Sequence, residues 1–250
     1  KGGVQRGRPP WTGDLGVSPN PQIPPRMGDK GGYEMKQRLD RNGITKRAAQ
    51  ELKDGDYVNL GFGMPNLVAD YADKGVIFQT ENGAIGYGPL VPSDDKESAD
   101  FHYHDAIGRF WVPAPGMAVF DVLTSFAMIR GGRMIAVLGG LQVSEKGDLA
   151  NWNTGGPQGG IIGGAMDLAF GAKRVIVTMG HTTKHGKPRI LKKCTLPLTA
   201  RECVDLIVTD IAVIEVTPKG LLLKETAPGW TAKEIQALTE PKLRIAPGLK

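Results

Sequence analysis

The sequence predicts an α/β fold, an open and mostly parallel sheet with helices on both faces. Three observations carry that prediction. Short apolar runs, such as residues 134–138 and 206–208, have the length and unbroken hydrophobicity of strands buried from both sides. Segments with helical spacing separate them, several opened by capping residues. Strand and helix alternate through most of the chain, the pattern left by helices that cross over between parallel strands.

Taken in order, residues 45–52 read as a helix stopped by Gly55. Residues 57–60 read as a strand running into Gly61-Phe-Gly63-Met-Pro65. Asn66 is the expected N-cap of a helix through Asp73, with Leu67, Val68 and Tyr71 as its apolar stripe. A second strand at 76–79 ends at Glu81-Asn82-Gly83, where Asn-Gly signals a turn. Further strands are expected at 110–112, 134–138, 174–179, 206–208 and 212–216, and helices at 119–130 and 165–170. Two more helices are expected from capping boxes, Thr199 with Glu202 and Thr231 with Glu234. Ligands of such sheets bind outside the carboxyl ends of strands, where strand order switches. That directs attention to the loops at 61–65, 81–88, 139–142 and 179–184.

Composition narrows the class. Of 250 residues, 35 are glycine, about twice the usual ~7%, without the G-X-Y period of collagen. At 40% hydrophobic residues the chain is not disordered throughout, and no apolar run approaches the roughly 18 residues of a spanning helix, so no membrane association is expected. Residues 1–32 hold 8 of the glycines, 6 prolines, five basic and two acidic residues, so +3 of the net +5 sits there. We read 1–34 as a Gly/Pro-rich linker, leader or wrapping arm and 35–250 as the folded domain. The weak charge of the remainder is no nucleic-acid footprint. Cys194 and Cys203 cannot build a disulfide framework or a four-thiolate zinc site and suit a reducing compartment.

Four constellations could carry chemistry. In Gln79-Thr-Glu-Asn-Gly-Ala-Ile-Gly-Tyr-Gly-Pro89 a carboxylate at a strand end is followed by glycines that leave it uncrowded; spacing alone describes a surface acid in a tight turn as readily. In 155–168, paired glycines lead into a helix whose first N–H groups can receive a phosphate, a carboxylate or a developing oxyanion, or simply form a flexible loop. This stretch matches neither the dinucleotide fingerprint nor a P-loop, so nicotinamide and ATP readings lose support. His102 and His104, with Asp105, would share a face if extended; a two-histidine zinc pair lacks a third ligand, and polar loop histidines are the simpler reading. The basic run 184–193 reads as a solvated face or as a contact for an anionic ligand. Ser125 and Ser144 lie in no nucleophile motif, and the two cysteines read as packing residues.

The chain also resembles a known family, the beta subunits of the 3-oxoacid (succinyl-type) CoA-transferases of family I. The resemblance runs from about Ile44 to the C-terminus. It is carried by Asp56-Tyr-Val-Asn-Leu-Gly-Phe-Gly-Met-Pro65, Glu81-Asn-Gly83, Ser125-Phe-Ala-Met-Ile-Arg-Gly-Gly132, Gln142-Val-Ser144, Gly147-Asp-Leu-Ala-Asn-Trp152, Gly163-Gly-Ala-Met-Asp-Leu168 and Cys194-Thr-Leu-Pro-Leu-Thr199. The order of these blocks is specific where any one alone is not.

The resemblance implies the CoA-transferase/NagB-like three-layer fold and CoA transfer between an acyl-CoA and a carboxylic acid. Glu81 would be the nucleophile, and the backbone of Gly164, with Gly163, would stabilise the oxyanion. Asn59, Gly61, Gly63, Asn82, Gly83 and Gln142 would contact substrate or CoA. Coenzyme A would be a co-substrate, with no permanently bound cofactor and no metal. The partner would be an alpha subunit, in an α2β2 or larger assembly, located in the cytoplasm or, in a eukaryote, the mitochondrial matrix. Met35 sits where a separate beta subunit would start. Several positions depart from the family pattern: Thr80 for serine, Gly180 for glutamate before His181, an apolar 121–124, the loop with His102 and His104, and 153–158. They leave the acyl substrate open. An acyl-CoA hydrolase or decarboxylase on the same scaffold, and a non-catalytic regulatory subunit, are the alternatives.

Overall fold

The computed structural model describes residues 36–249 except 93, 94, 96, 106, 107 and 157–159. The arm expected at 1–34, and the domain start at Met35, lie outside the described residues. The chain begins with α1 (Arg41–Ala49), β1 (Tyr57–Leu60), a 3-10 helix (Met64–Asp70), β2 (Ile77–Thr80), β3 (Ala84–Ile85) and β4 (Ala118–Val119). It continues through α2 (Val122–Ile129), β5 (Ile135–Gly139), β6 (Gln142–Ser144), β7 (Leu149–Ala150), α3 (Ala165–Gly171) and β8 (Arg174–Thr178). It closes with β9 (Ile190–Leu191), β10 (Leu206–Val208), β11 (Ala212–Thr217), β12 (Gly220–Thr226), α4 (Ala232–Ala237) and β13 (Arg244–Ile245).

Ten strands form one sheet in the order β13-β12-β11-β10-β8-β5-β1-β2-β3-β4, and β7-β6-β9 form a small second sheet. The inner block β10-β8-β5-β1-β2 is parallel throughout, as predicted, and antiparallel strands flank it on both sides. Period-2 alternation divides the core. On β5, Ile135 and Val137 face α1 and the 3-10 helix, packing with Ile44, Ala48 and Val68. Ala136 and Leu138 face the other way and pack with Ile129, Leu168 and Ala169 of α2 and α3. On β8, Ile176 joins the first cluster and Val175 and Val177 the second. Helices therefore cover both faces. Among the described residues no helix is long and apolar enough to cross a membrane.

Several expected elements shift, for physical reasons. α1 starts four residues early, because Asp40 caps it by accepting from the Gly43 N–H at 2.7 Å. Pro65, with its fixed φ, begins the 3-10 helix ahead of Asn66, so Asn66 is buried inside that helix rather than capping one. Val119 belongs to β4, and Asp121 caps α2 after it. At 110–112 there are isolated bridges, Leu90 to Trp111 and His104 to Phe110, in place of a strand; prolines 89, 92 and 113 deny the ladder its donors. The box at Thr199 and Glu202 opens no helix. The Thr199 hydroxyl donates to Asn151 Oδ1 at 2.6 Å, and its N–H is held by the Leu149 carbonyl at 2.7 Å. The box at Thr231 and Glu234 does open α4.

Candidate active site

β1 pairs with β2 on one side and with β5 on the other, so strand order switches direction between β1 and β5. A crevice belongs at the carboxyl ends there, and it is present as a cavity of about 490 Å³. Asn59, Gly61 and Phe62 from the end of β1, Leu138 and Gly139 from β5, Thr80 and Glu81 from β2, and Gly163 to Ala165 at the start of α3 line it.

The position of Glu81 follows from strand parity. Gln79 faces the α2–α3 side of the sheet, and Glu81 lies two residues further on. Gln79 is locked by a buried chain of amides: Asn59 Nδ2 donates to Gln79 Oε1 at 2.5 Å, and Gln79 Nε2 donates to Ser125 Oγ of α2 at 2.7 Å and to the Thr80 carbonyl at 3.0 Å. These three side chains are at most 3% exposed. They fix the end of β2 against β1 and α2, which places the strand end that carries Glu81.

The turn after β2 is equally constrained. The Gly83 N–H donates to the Thr80 carbonyl at 3.0 Å, and the Thr80 hydroxyl donates to Asn82 Oδ1 at 2.8 Å. Gly83 has φ of 116°, and a Cβ there would lie 2.0 Å from the Phe120 carbonyl oxygen, so only glycine fits. Asn82 Nδ2 donates to the His104 carbonyl at 2.9 Å, tying the turn to the 100–105 loop.

The Glu81 carboxylate is half-buried and has no hydrogen-bond or ion-pair partner among the described residues. Burial, and then the charge of Asp167, push its pKa above the ordinary glutamate range. It rests against Gly164: a Cβ at Gly164 would lie 2.1 Å from Glu81 Oε2 and 3.1 Å from Phe126 Cζ. The absent side chain thus lets the carboxylate reach the backbone where α3 begins. A desolvated carboxylate beside glycine backbone N–H groups, at the wall of a cavity, is suited to nucleophilic attack on a carbonyl whose developing charge the backbone can meet.

Of the sequence-predicted residues, Glu81, Gly163, Gly164, Asn59 and Gly61 converge on the cavity. Asn82 and Gly83 shape the turn beneath Glu81 without lining it. Gly63, with φ of 90°, starts the 3-10 helix just outside. Gln142 is elsewhere: it sits on β6, where its Oε1 accepts from the N–H groups of Thr195 at 2.8 Å and Leu196 at 3.0 Å. His102 is exposed and bound to Asp100, and among the described residues no group of three His, Cys, Asp or Glu is placed to hold a metal. Residues 157–159 of the glycine-rich constellation lie outside the described residues.

Sequence reasoning missed Gln79, Ser125, Asn66 and Tyr87 and weighed Asp105 only beside a histidine pair; all five line or brace the cavity. A polar Gln79 in the apolar run of β2 was the available signal for the first. Tyr87 stacks on Trp111 at 5.2 Å, and burial holds its hydroxyl protonated well above the ordinary range. Asp105 pairs with Arg109 at 2.8 Å.

Comparison with known proteins identifies the family. The family model described as coenzyme A transferase matches residues 41–238. The chain is 47% identical over 209 residues, 82% of its length, to the beta subunit of a probable coenzyme A transferase of Bacillus subtilis (strain 168), covering 95% of that protein. It is 43% identical over 209 residues to the beta subunit of the acetate CoA-transferase of Escherichia coli (strain K12), covering 82% of this chain and 94% of that one. A 3-oxoadipate CoA-transferase chain of Acinetobacter baylyi is 44% identical over 206 residues, 81% of this chain and 94% of its own length. Among solved structures, the acyl-CoA transferase YdiF apoenzyme of Escherichia coli O157:H7 superposes with a TM-score of 0.66 at 22% identity over 86% of this chain. This chain spans 42% of YdiF, and that likeness is one of fold. With the family model covering most of the folded region and relatives this similar over nearly their whole length, the chain belongs to the coenzyme A transferase family.

Proposed function

We propose that this chain is the nucleophile-bearing beta subunit of a CoA-transferase acting on 3-oxoacids or acids like them, and that it works through a covalent thioester on Glu81. The observation that carries the reading is the Glu81 carboxylate, without a partner among the described residues, against Gly164 at the wall of the cavity. A relative named for 3-oxoadipate supports the substrate class.

The chemistry follows from these groups. One Glu81 oxygen attacks the thioester carbonyl of an acyl-CoA. The tetrahedral oxyanion collapses, the C–S bond breaks, and CoA thiolate leaves an acyl-glutamyl anhydride. The thiolate attacks the glutamyl carbonyl, releasing the first carboxylate and forming the glutamyl-CoA thioester. The second acid's carboxylate attacks that thioester to regenerate an anhydride and free thiolate. The thiolate then takes the new acyl group and restores Glu81. No proton needs removing from the nucleophile, since a carboxylate is ionised near neutral pH. Backbone N–H groups at Gly163 and Gly164 would hold the oxyanion, an interaction whose loss elsewhere costs about 3–4 kcal/mol. The anhydride survives only where water is kept out.

The open side of the cavity is rimmed by Phe62, 77% exposed, and Ile161, 94% exposed. Apolar groups at a site's mouth suit a contact surface, and two of the relatives are named as beta subunits. We assign the covering surface to an alpha subunit, in an α2β2 or larger assembly.

The test is Glu81→Gln in the reconstituted complex, assayed by acyl exchange and by peptide mass after incubation with acyl-CoA alone. We expect exchange to fall by several orders of magnitude and the CoA adduct on the 81-containing peptide to vanish. Retained exchange would refute the assignment of the nucleophile.

A further inference from the structure

The charge of the cavity wall bears on the acyl group it can take. Among the described residues that line the cavity are two acids, Glu81 and Asp105, and no lysine, arginine or histidine. Leu60, Leu138, Ile162 and Leu168 give the wall apolar surface.

Asp105 is the informative member. It follows His104 in the loop that departs from the family pattern, and it is only 4% exposed. It accepts from Arg109 Nε at 2.8 Å and from the Arg109 N–H at 2.9 Å. Arg109 is thereby bound to an acid, and its Nη1 is turned to the Asn66 carbonyl at 3.2 Å. This guanidinium does not line the cavity, whereas the carboxylate that neutralises it does. Tyr87 lines the cavity as well, and burial, then the charge of Asp105, keep its hydroxyl protonated and therefore neutral. Asn66 is 5% exposed, and its Nδ2 is buried without a hydrogen-bond partner among the described residues.

These groups treat two kinds of acyl chain differently. A second carboxylate on the acyl group would leave water for a cavity whose charged lining has its own sign. A buried charge without a partner is costly, and like charges brought together are repelled. A neutral acyl chain escapes both costs and gains from the apolar wall. If it carries a keto oxygen, the Asn66 amide, turned toward the cavity, would donate to it and satisfy an otherwise orphaned group.

We propose that Asp105, paired with Arg109, selects against acyl groups bearing a second carboxylate, so that the enzyme moves CoA between monocarboxylic acids with neutral chains, and that Asn66 favours a 3-oxo group among them. The assignment rests on the CoA-transferase reading above. It keeps the 3-oxo group of 3-oxoadipate, for which one relative is named, and excludes that acid's second carboxylate.

The experiment uses the full chain with its alpha partner and measures kcat/KM for acetoacetyl-CoA, butyryl-CoA and succinyl-CoA, with acetate as the acceptor. Wild type should prefer both neutral donors to succinyl-CoA by more than about tenfold. Asp105→Asn keeps an oxygen for the Arg109 N–H and removes the negative charge. It should raise succinyl-CoA relative to acetoacetyl-CoA by about tenfold or more, a gain that no folding defect produces. Asn66→Ala should lower acetoacetyl-CoA about tenfold relative to butyryl-CoA; an equal fall for both donors would remove Asn66 from the site. A smaller wild-type preference, or an unchanged preference in a folded Asp105→Asn complex, overturns the selection and leaves the transfer mechanism standing. If Glu81 forms no thioester yet the donor preference holds, the mechanism fails and the selection stands. Exchange with none of the donors overturns both.

Discussion

Replacing Gly164 by alanine isolates the contact on which the proposed chemistry depends. Gly164 has φ of −81°, so alanine adds no backbone strain. Its Cβ would lie 2.1 Å from Glu81 Oε2, and ordinary contact begins at 3.4 Å, so the carboxylate must retreat by about 1.3 Å. A half-buried side-chain end can make that move at little cost in stability. Catalysis cannot absorb it: a misplacement of roughly 1 Å costs about 100-fold in rate, or about 2.7 kcal/mol of barrier. The assay is single-turnover formation of the glutamyl-CoA adduct in the reconstituted complex, followed by mass, beside a thermal melt of the same sample. We expect adduct formation about 100-fold slower with the melting temperature within about 2 °C of wild type. Wild-type rates in a folded Gly164→Ala complex would refute the reasoning, because Glu81 could then react without its seat against the start of α3.

Three further outcomes follow from the structure. Glu81 has a pKa raised by burial, so the fold is favoured by its protonated form and loses that contribution as pH rises through the raised value. Glu81→Gln should therefore raise the melting temperature at pH 7 by about 1–2 °C, the site being half-exposed and screened, with the gain disappearing below about pH 4.5; a lower melting temperature at pH 7 would contradict it. His181 is held down to about 4 from 6.5, so its neutral form contributes stability that is present above about pH 6.5 and lost as pH falls toward 4. That amounts to about 3 kcal/mol, and urea titrations at pH 7 and 4.5 should show His181→Gln flattening the dependence. Thr231→Ala removes the capping box of α4 and should cost about 1 kcal/mol, or about 2–4 °C in the melt, without changing CoA exchange.

Much of the site was legible before the fold. The Asn-Gly turn after a short strand announced that Glu81 would stand at a strand end, and the paired glycines before residue 165 offered either a helix start free of side chains or a flexible loop. What the linear chain did not show was that these two meet. Glu81 and Gly164 are 83 positions apart, and their contact depends on α3 packing on the sheet face toward which β2 turns Gln79 and Glu81. Gln142 stands apart: its place in a block resembling the family suggested a ligand contact, and the fold puts it outside the cavity, its Oε1 accepting from the N–H groups of Thr195 and Leu196 and its Nε2 donating to the Thr195 hydroxyl.

By itself the sequence determined the alternation of strand and helix, because buried parallel strands must be continuously apolar and crossover helices must carry caps and a stripe. It also determined which loops were free of side chains, since glycine leaves no atoms to crowd a ligand. The tertiary structure alone decided strand order, and with it the switch between β1 and β5 that opens the cavity; order depends on contacts among segments far apart in the chain. It decided which local signals prevail. The cap at Thr231 met no competitor and made a helix, whereas Thr199 was claimed by Asn151 and Leu149 and made none. It also left Arg189 half-buried with Asp210 near enough to offset part of the burial but with no ion pair of its own among the described residues, a property of neighbours that no segment read alone contains.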